Sequence, residues 1–213
     1  MDIDMPDPAP AVIDAADVAS PHGLRRRLVG AGLVGLAGSL LPGLATRAGA
    51  APDEAPVRQP TEDDLVLLRF AQQAELAAVS LYTTALSTEL GPVTEAVLGR
   101  VRDAHLAYSQ ALGAEIGRTA PGSPAADLVT ELEPAFAGPQ SGMISTALGL
   151  ENTLVATHTQ LIGTLRSSNA AKLIASVVIA ESRHAVVLAD LSGVTEVDAY
   201  VVNDATPLEP AEG

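Results

Sequence analysis

Two pairs of long segments with a helical apolar period dominate the sequence, and the way they are joined constrains the fold most. Within each pair only a few turn residues intervene, whereas residues 119–140 separate the two pairs. The predicted helices would each be roughly 33–42 Å long at about 1.5 Å per residue, and the connection is long enough to span that length. They cover residues 62–89, 92–118, 141–166 and 169–191.

This arrangement predicts an all-α fold, an antiparallel four-helix bundle in which a long crossover joins two helical hairpins. The alternative is an up-down bundle with an idle long loop. Apolar residues make up 47% of the chain but aromatic residues only 2%, so a core of Ala, Val and Leu is expected. Ala and Leu are strong helix formers, which favours helices over a sheet.

Helix caps are visible at several of the predicted boundaries. Thr61 followed by three acidic residues is typical of a helix start. The hydroxyl caps backbone N–H groups, and the acidic side chains interact favourably with the positive end of the helix dipole. Pro92 suits the first position of the second helix. Ser141 and Asn169 are the predicted caps of the third and fourth helices.

Composition divides the chain into four parts. Residues 1–50 are predicted to be an acidic extension followed by a signal peptide, and the proline-rich residues 51–61 a linker. The bundle would occupy residues 62–193. Residues 194–213 are acidic and contain proline, and they predict a loose tail.

Residues 24–50 have the pattern of an export leader. A group of arginines precedes an uncharged, glycine-rich run that ends near Ala45, and Arg47 follows it. Ala48-Gly49-Ala50 then forms a small-x-small cleavage site. The run has about 18 residues, the short limit for a bilayer span, so retention as a membrane anchor is the alternative to cleavage. The arginines are Arg25, Arg26 and Arg27.

This segment resembles a twin-arginine signal. The resemblance implies the twin-arginine export machinery as a partner and export of an already folded chain. The protein is then expected in the periplasm, in the cell envelope or outside the cell, with the membrane involved only if the leader stays uncleaved.

Polar residues fall on the apolar stripe of every long predicted helix. Each helix carries one ionisable residue whose neighbours three, four and seven positions away are mostly apolar, and two further histidines follow on the third and fourth helices. A carboxylate in an apolar core is costly unless it is paired or bound to a cation. The pattern therefore predicts a buried metal centre. Its candidate ligands are Glu75, His105, Glu151, His158, Glu181 and His184.

The two halves of the bundle also repeat. Corresponding residues are 76 positions apart and fall near the middle of their helices, so they are expected to share one layer. The corresponding pairs are Glu75 and Glu151, Tyr82 and His158, His105 and Glu181, and Tyr108 and His184.

With no cysteine in the chain, any metal must be held by carboxylates and imidazoles. Glu on the first and third helices, Glu-x-x-His on the fourth, and Tyr82 one heptad after Glu75 resemble the ferritin-like di-iron family across about residues 62–191. The resemblance implies iron or manganese at the centre. It also implies oxygen- or peroxide-linked oxidoreductase chemistry of ferroxidase or catalase-like type.

The second helix departs from the family pattern, which requires Glu-x-x-His there as well. If His105 is that histidine, Arg102 occupies the glutamate position. If the internal repeat sets the register, the preferred interpretation, His105 replaces the glutamate and Tyr108 replaces the histidine. One carboxylate is missing in either case, so the centre is partly degenerate. Tyr82, Arg102 and Tyr108 are expected to surround the ligands.

A metal-free interpretation rests on Arg102, which lies three residues before His105 and is expected to face inward. Its guanidinium would pair with Glu75 or Glu151 and neutralise the buried charge. The bundle would then act as a cell-envelope interaction or stress protein.

The formal charge of −14 disfavours nucleic acid as a partner. The sequence leaves open whether the bundle forms a homo-oligomer.

Replacing Arg25, Arg26 and Arg27 together by Lys is expected to stop export, because the charge is kept while the arginine pair is lost. Fractionation of an exporting host followed by immunoblotting measures this, and Arg47→Lys is the control. The exported chain should begin at Ala51 on N-terminal sequencing. Unchanged export of the triple variant would contradict the twin-arginine assignment.

Overall fold

The computed structural model describes residues 57–210, and in that range it is all-helical. The four long helices form the antiparallel bundle that the sequence predicts. A short 3-10 turn, Gly117–Thr119, follows the second of them. The helices are α1 (Glu62–Leu86), α2 (Pro92–Ile116), α3 (Ala126–Phe136), α4 (Gln140–Thr164), α5 (Ser168–Leu191) and α6 (Asp198–Val201).

The connection between α2 and α4 runs along the length of the bundle. At one end Gly91, just before α2, donates its N–H to Oε1 of Gln140 at the start of α4, at 2.8 Å. At the other end Arg69 of α1 donates to the carbonyl and hydroxyl oxygens of Thr119, just after α2. Since α2 finishes at one end and α4 begins at the other, the crossover is confirmed and the up-down alternative is wrong. Within the crossover, α3 packs against α1 and α4.

Asp64 ties the start of α1 to the turn between α4 and α5. Thr61 and Asp64 form a reciprocal capping box, so the predicted cap of the first helix is confirmed. The same carboxylate accepts the backbone N–H groups of Arg166 at 2.8 Å and Ser167 at 3.1 Å. Ser167 in turn donates its hydroxyl to the carbonyl oxygen of Arg58. One buried carboxylate therefore ties the start of α1 to the turn between α4 and α5, and the Ser167 hydroxyl adds a second tie to the residues before α1.

Two helix starts differ from the prediction. α4 begins directly after Pro139, whose extended backbone positions the chain for the first turn, so Ser141 is not its cap. α5 is capped by Ser167, whose Oγ accepts the N–H of Ala170 at 3.2 Å, and not by Asn169. At α5 the sequence alone does not distinguish Ser167 from Asn169, because each has a side chain able to cap a helix.

The tail after α5 is held on the bundle as far as it is described, so the prediction of a loose tail is wrong there. Asn203 donates its side-chain N–H to the carbonyl oxygen of Asn152, and Leu208 donates its backbone N–H to Oγ1 of Thr157, both at 2.9 Å. The Leu208 side chain also packs against an apolar core cluster. An apolar anchor and two hydrogen bonds fix a segment whose composition alone indicated a solvated chain.

The predicted leader, with its arginines and its cleavage motif, lies outside the described residues. Within residues 57–210, no helix has the length and apolar character needed to cross a membrane.

Asp64→Asn is expected to lower the free energy of unfolding at neutral pH and to flatten its pH dependence. Burial raises the pKa of Asp64, but the N–H groups of Thr61, Arg166 and Ser167 outweigh burial and lower it. The charged form therefore stabilises the fold above the unfolded-state pKa, and this contribution is lost as pH falls through the lower folded-state pKa.

Urea unfolding between about pH 7 and pH 3 measures the effect. Asp63→Asn is the matched control, because Asp63 lies in the same helical turn with an exposed side chain. The interpretation is contradicted if the two variants have the same pH profile.

Candidate metal centre

A layer of ionisable side chains divides the core of the bundle into two apolar clusters. One cluster, which includes Leu81 and Phe136, lies toward the turn between α1 and α2. The other, which includes Leu68 and Ile174, lies toward the opposite end. The structure brings all six predicted ligands into this layer. Five are completely buried and the sixth is 15% exposed; they are Glu75, His105, Glu151, His158, Glu181 and, at 15%, His184.

His105 lies between two carboxylates. Its Nδ1 is 2.6 Å from Oε2 of Glu75, and its Nε2 is 2.9 Å from Oε1 of Glu151. Both ring nitrogens must donate to satisfy two carboxylate oxygens, so the ring carries both protons. Burial lowers the pKa of His105, but the charges of Glu151 and Glu75 outweigh it and raise the pKa well above its usual value. His105 is therefore a buried imidazolium.

His158 also lies between two carboxylates, but it makes a hydrogen bond with only one of them. Its Nδ1 is 2.9 Å from Oε2 of Glu181, and its Nε2 is 3.5 Å from Oε1 of Glu75. Burial lowers the pKa of His158, and the negative charges of Glu181 and Glu75 raise it, with a net upward shift. Carboxylates and imidazoles thus alternate along the layer, and His184, 3.1 Å from Oε2 of Glu151, ends the row.

Two of the carboxylates have opposite electrostatic environments. Burial raises the pKa of Glu151, but the charge and hydrogen bond of His105, assisted by His184, outweigh burial and bring it to about 2. Glu181 has only His158 as a close partner, so burial prevails and raises its pKa to about 7, with a further contribution from the charge of Glu75. Glu151 is therefore a fixed charge, and Glu181 changes charge near neutral pH.

Two tyrosines flank the layer, as the sequence analysis expected. The buried Tyr82 hydroxyl donates to Oε1 of Glu151 at 2.5 Å, and its ring stacks on His105 at a centroid distance of 5.6 Å. Burial, with the charge of Glu151, raises the pKa of Tyr82 well above its usual value. Tyr108 is partly buried and stacks on His184 at 6.3 Å. Burial and the charge of Glu75 raise the pKa of Tyr108 to about 12.

The expectation that Arg102 faces the core is wrong. Its side chain is 36% exposed and pairs with the neighbouring Asp103 at 2.7 Å. A long flexible side chain at the edge of the apolar stripe can extend its charged end to water. The charge that Arg102 was expected to supply to Glu75 or Glu151 comes from His105 instead.

The residues of the layer fit a metal ion. Two sets of ligand atoms each lie within 4.8 Å of one another: the first joins His105, Glu151 and His184, and the second joins Glu75, His105 and Glu181. Three buried atoms of the layer also have no hydrogen-bond partner, namely Oε1 of Glu75, Oε1 of Glu181 and Nε2 of His158. Buried oxygen and nitrogen atoms without partners are costly, and ligation of a cation would relieve that cost.

The valines beside His184 are not among the residues that the sequence predicts for the site. Val97, Val101 and Val187 lie with it around a groove between α2 and α5. Valines in phase with the apolar stripe of a helix normally pack in the core, so the periodic pattern does not indicate that these valines line a groove. The spacing does place two of them on the same helix faces as the predicted ligands. Val187 is three residues after His184, and Val101 is four residues before His105.

The family model described as "Ferritin-like domain" matches residues 63–194, more than half of the chain. The match covers the four long helices and every residue of the layer. In the other comparisons, no curated protein and no solved structure matches the chain.

His105→Ala is expected to lower the free energy of unfolding by about 3–5 kcal/mol at neutral pH, because Glu75 and Glu151 would lose the buried positive charge between them. Urea denaturation followed by circular dichroism measures the loss. His184→Ala is the matched control, since it removes an imidazole that is partly exposed and bonds a single carboxylate, and it should cost about 1 kcal/mol. Equal losses in the two variants would refute the assigned role of His105.

Proposed function

The chain belongs to the ferritin-like domain family, and on that premise we propose that its buried layer binds a divalent metal, iron or manganese, for oxygen- or peroxide-linked redox chemistry. The observation that carries the proposal is the convergence of three buried carboxylates and three imidazoles from four helices, with three of their atoms left without a partner. Oxygen and imidazole donors without thiolates suit these two metals.

The ligand sets favour one ion per chain. His105 belongs to both sets, and a neutral imidazole offers one nitrogen lone pair at a time. An ion held by His105, Glu151 and His184 and an ion held by Glu75, His105 and Glu181 therefore compete for the same ring. The competition arises because His105 stands where the family pattern has a second ligating carboxylate.

The residues of the layer exchange protons when a cation binds. A ligating imidazole must be neutral, so His105 gives up the proton that now bonds a carboxylate. Tyr82 keeps its proton because its pKa is raised, and its hydrogen bond fixes the orientation of the Glu151 carboxylate. A bound iron or manganese ion would supply electrons and open coordination positions to an oxidant.

Export is part of the proposal and rests on the sequence of the leader. A chain that carries Arg25, Arg26 and Arg27 before a glycine-rich run would reach the cell envelope already folded. A metal loaded before export would then stay in the buried layer during transport.

A second function is favoured by the pairing within the layer. His105 and His158 already place positive charge beside all three carboxylates, so most of the buried negative charge is balanced without a cation. In that case the protein is a metal-free ferritin-like bundle that acts as a cell-envelope interaction or stress protein.

Metal analysis of protein purified from its exporting cell distinguishes the two functions. The first predicts about one iron or manganese ion per chain, together with a lower melting temperature after chelation. Glu151→Gln and Glu181→Gln each remove one ligand set, so only one of them should lose the ion if a single set is used. Glu95→Gln, at an exposed position on α2, is the control. Absence of metal with unchanged melting on chelation contradicts the first function and leaves the metal-free bundle.

A further inference from the structure

His184 is the one member of the layer that reaches solvent. Its side chain is 15% exposed, whereas those of Glu75, His105, Glu151, His158 and Glu181 are fully buried. The apolar clusters close the layer toward both ends of the bundle. A reactant from solvent therefore meets the layer first at His184.

The exposed face of His184 lines a groove of about 360 Å³ between α2 and α5. Apart from the His184 ring and Arg100, the side chains around it are alkyl groups. Its lining residues are Ala96, Val97, Arg100, Val101, His184 and Val187. One side chain, His184, separates the groove from Glu151, to which its Nδ1 is bonded at 3.1 Å.

A neighbouring groove has the opposite character. It has a volume of about 600 Å³, and its lining includes Glu95, Arg102 and Asp103. None of its lining residues belongs to the buried layer. Arg100 lines both grooves, but charged reactants would find further polar partners in the groove that does not lead to the layer, and mostly alkyl walls in the groove that borders it.

We propose that the groove between α2 and α5 is the route by which dioxygen reaches the layer past His184. This rests on the proposed function and narrows its oxidant to dioxygen. A charged or strongly hydrated molecule would lose water contacts against the alkyl lining, with only the His184 ring and Arg100 as compensating partners. Dioxygen is small, uncharged and apolar, so it loses little hydration and gains dispersion contacts with the valines.

Dioxygen itself is the probe, because it is paramagnetic and speeds the relaxation of nearby protons. Valine methyl relaxation is measured by nuclear magnetic resonance in the full chain freed of metal, with dissolved dioxygen and separately with a hydrophilic gadolinium chelate. The ratio of the two effects should be several-fold higher at Val97, Val101 and Val187 than at the exposed Val66 of α1. Equal ratios at the groove and at Val66 overturn the proposal.

Val187→Phe fills the groove from a position that is 43% exposed, so the fold should tolerate it. The matched control is Val66→Phe, the same change at a 55% exposed position away from the groove. Val187→Phe should sharply reduce the dioxygen effect at Val97 and Val101, whereas Val66→Phe should not. In metal-loaded protein, Val187→Phe should also slow metal oxidation by dioxygen; equal rates in the two variants overturn the proposal.

Failure of the route and failure of the proposed function give different results. The relaxation measurement uses metal-free protein, so a groove that does not concentrate dioxygen refutes the route even where metal analysis finds an ion. Absence of metal in protein from the exporting cell refutes the proposed function, and with it the purpose of the route, whatever the relaxation data show.

Discussion

Repulsion between three carboxylates in a buried layer is the constraint on which the rest of this bundle depends. Two like charges about 4 Å apart repel by about 4 kcal/mol even at an effective dielectric constant near 20, so the layer requires positive charge inside it. His105 and His158 supply that charge at bonding distance. The apolar clusters on either side keep water out and thereby make the pairing obligatory.

The internal repeat explains why His105 and Glu181 have opposite roles. The two residues occupy equivalent positions, and each lies near Glu75. At the first position an imidazolium bonds Glu75 and Glu151, which raises its pKa. At the second, a carboxylate is close to the same negative charges, which help burial to raise its pKa. Two equivalent positions of the repeat therefore hold, without a metal, a cation and an acid that titrates near neutral pH.

The fold and the six residues of the layer could be predicted from the sequence, because both depend on the helical period of the apolar residues. Ionisable residues in phase with an apolar stripe must face the core, and a connection as long as a helix allows a crossover. The hydrogen-bond partners within the layer could not be predicted, because they depend on side-chain rotamers. Nothing in the spacing indicates that Tyr82 bonds Glu151 while His158 bonds Glu181. Arg102 shows the same limit, since the phase that placed it near the core does not fix where a long side chain ends.

The histidine at position 105 changes what the layer does without a metal. A fourth carboxylate there would leave the layer with more negative charge than its imidazoles can balance, and the bundle would need a cation to be stable. With His105, protons balance most of the charge and the bundle can fold before any ion arrives. Any cation would have to displace those protons, which would weaken metal binding, whereas folding would not depend on metal supply.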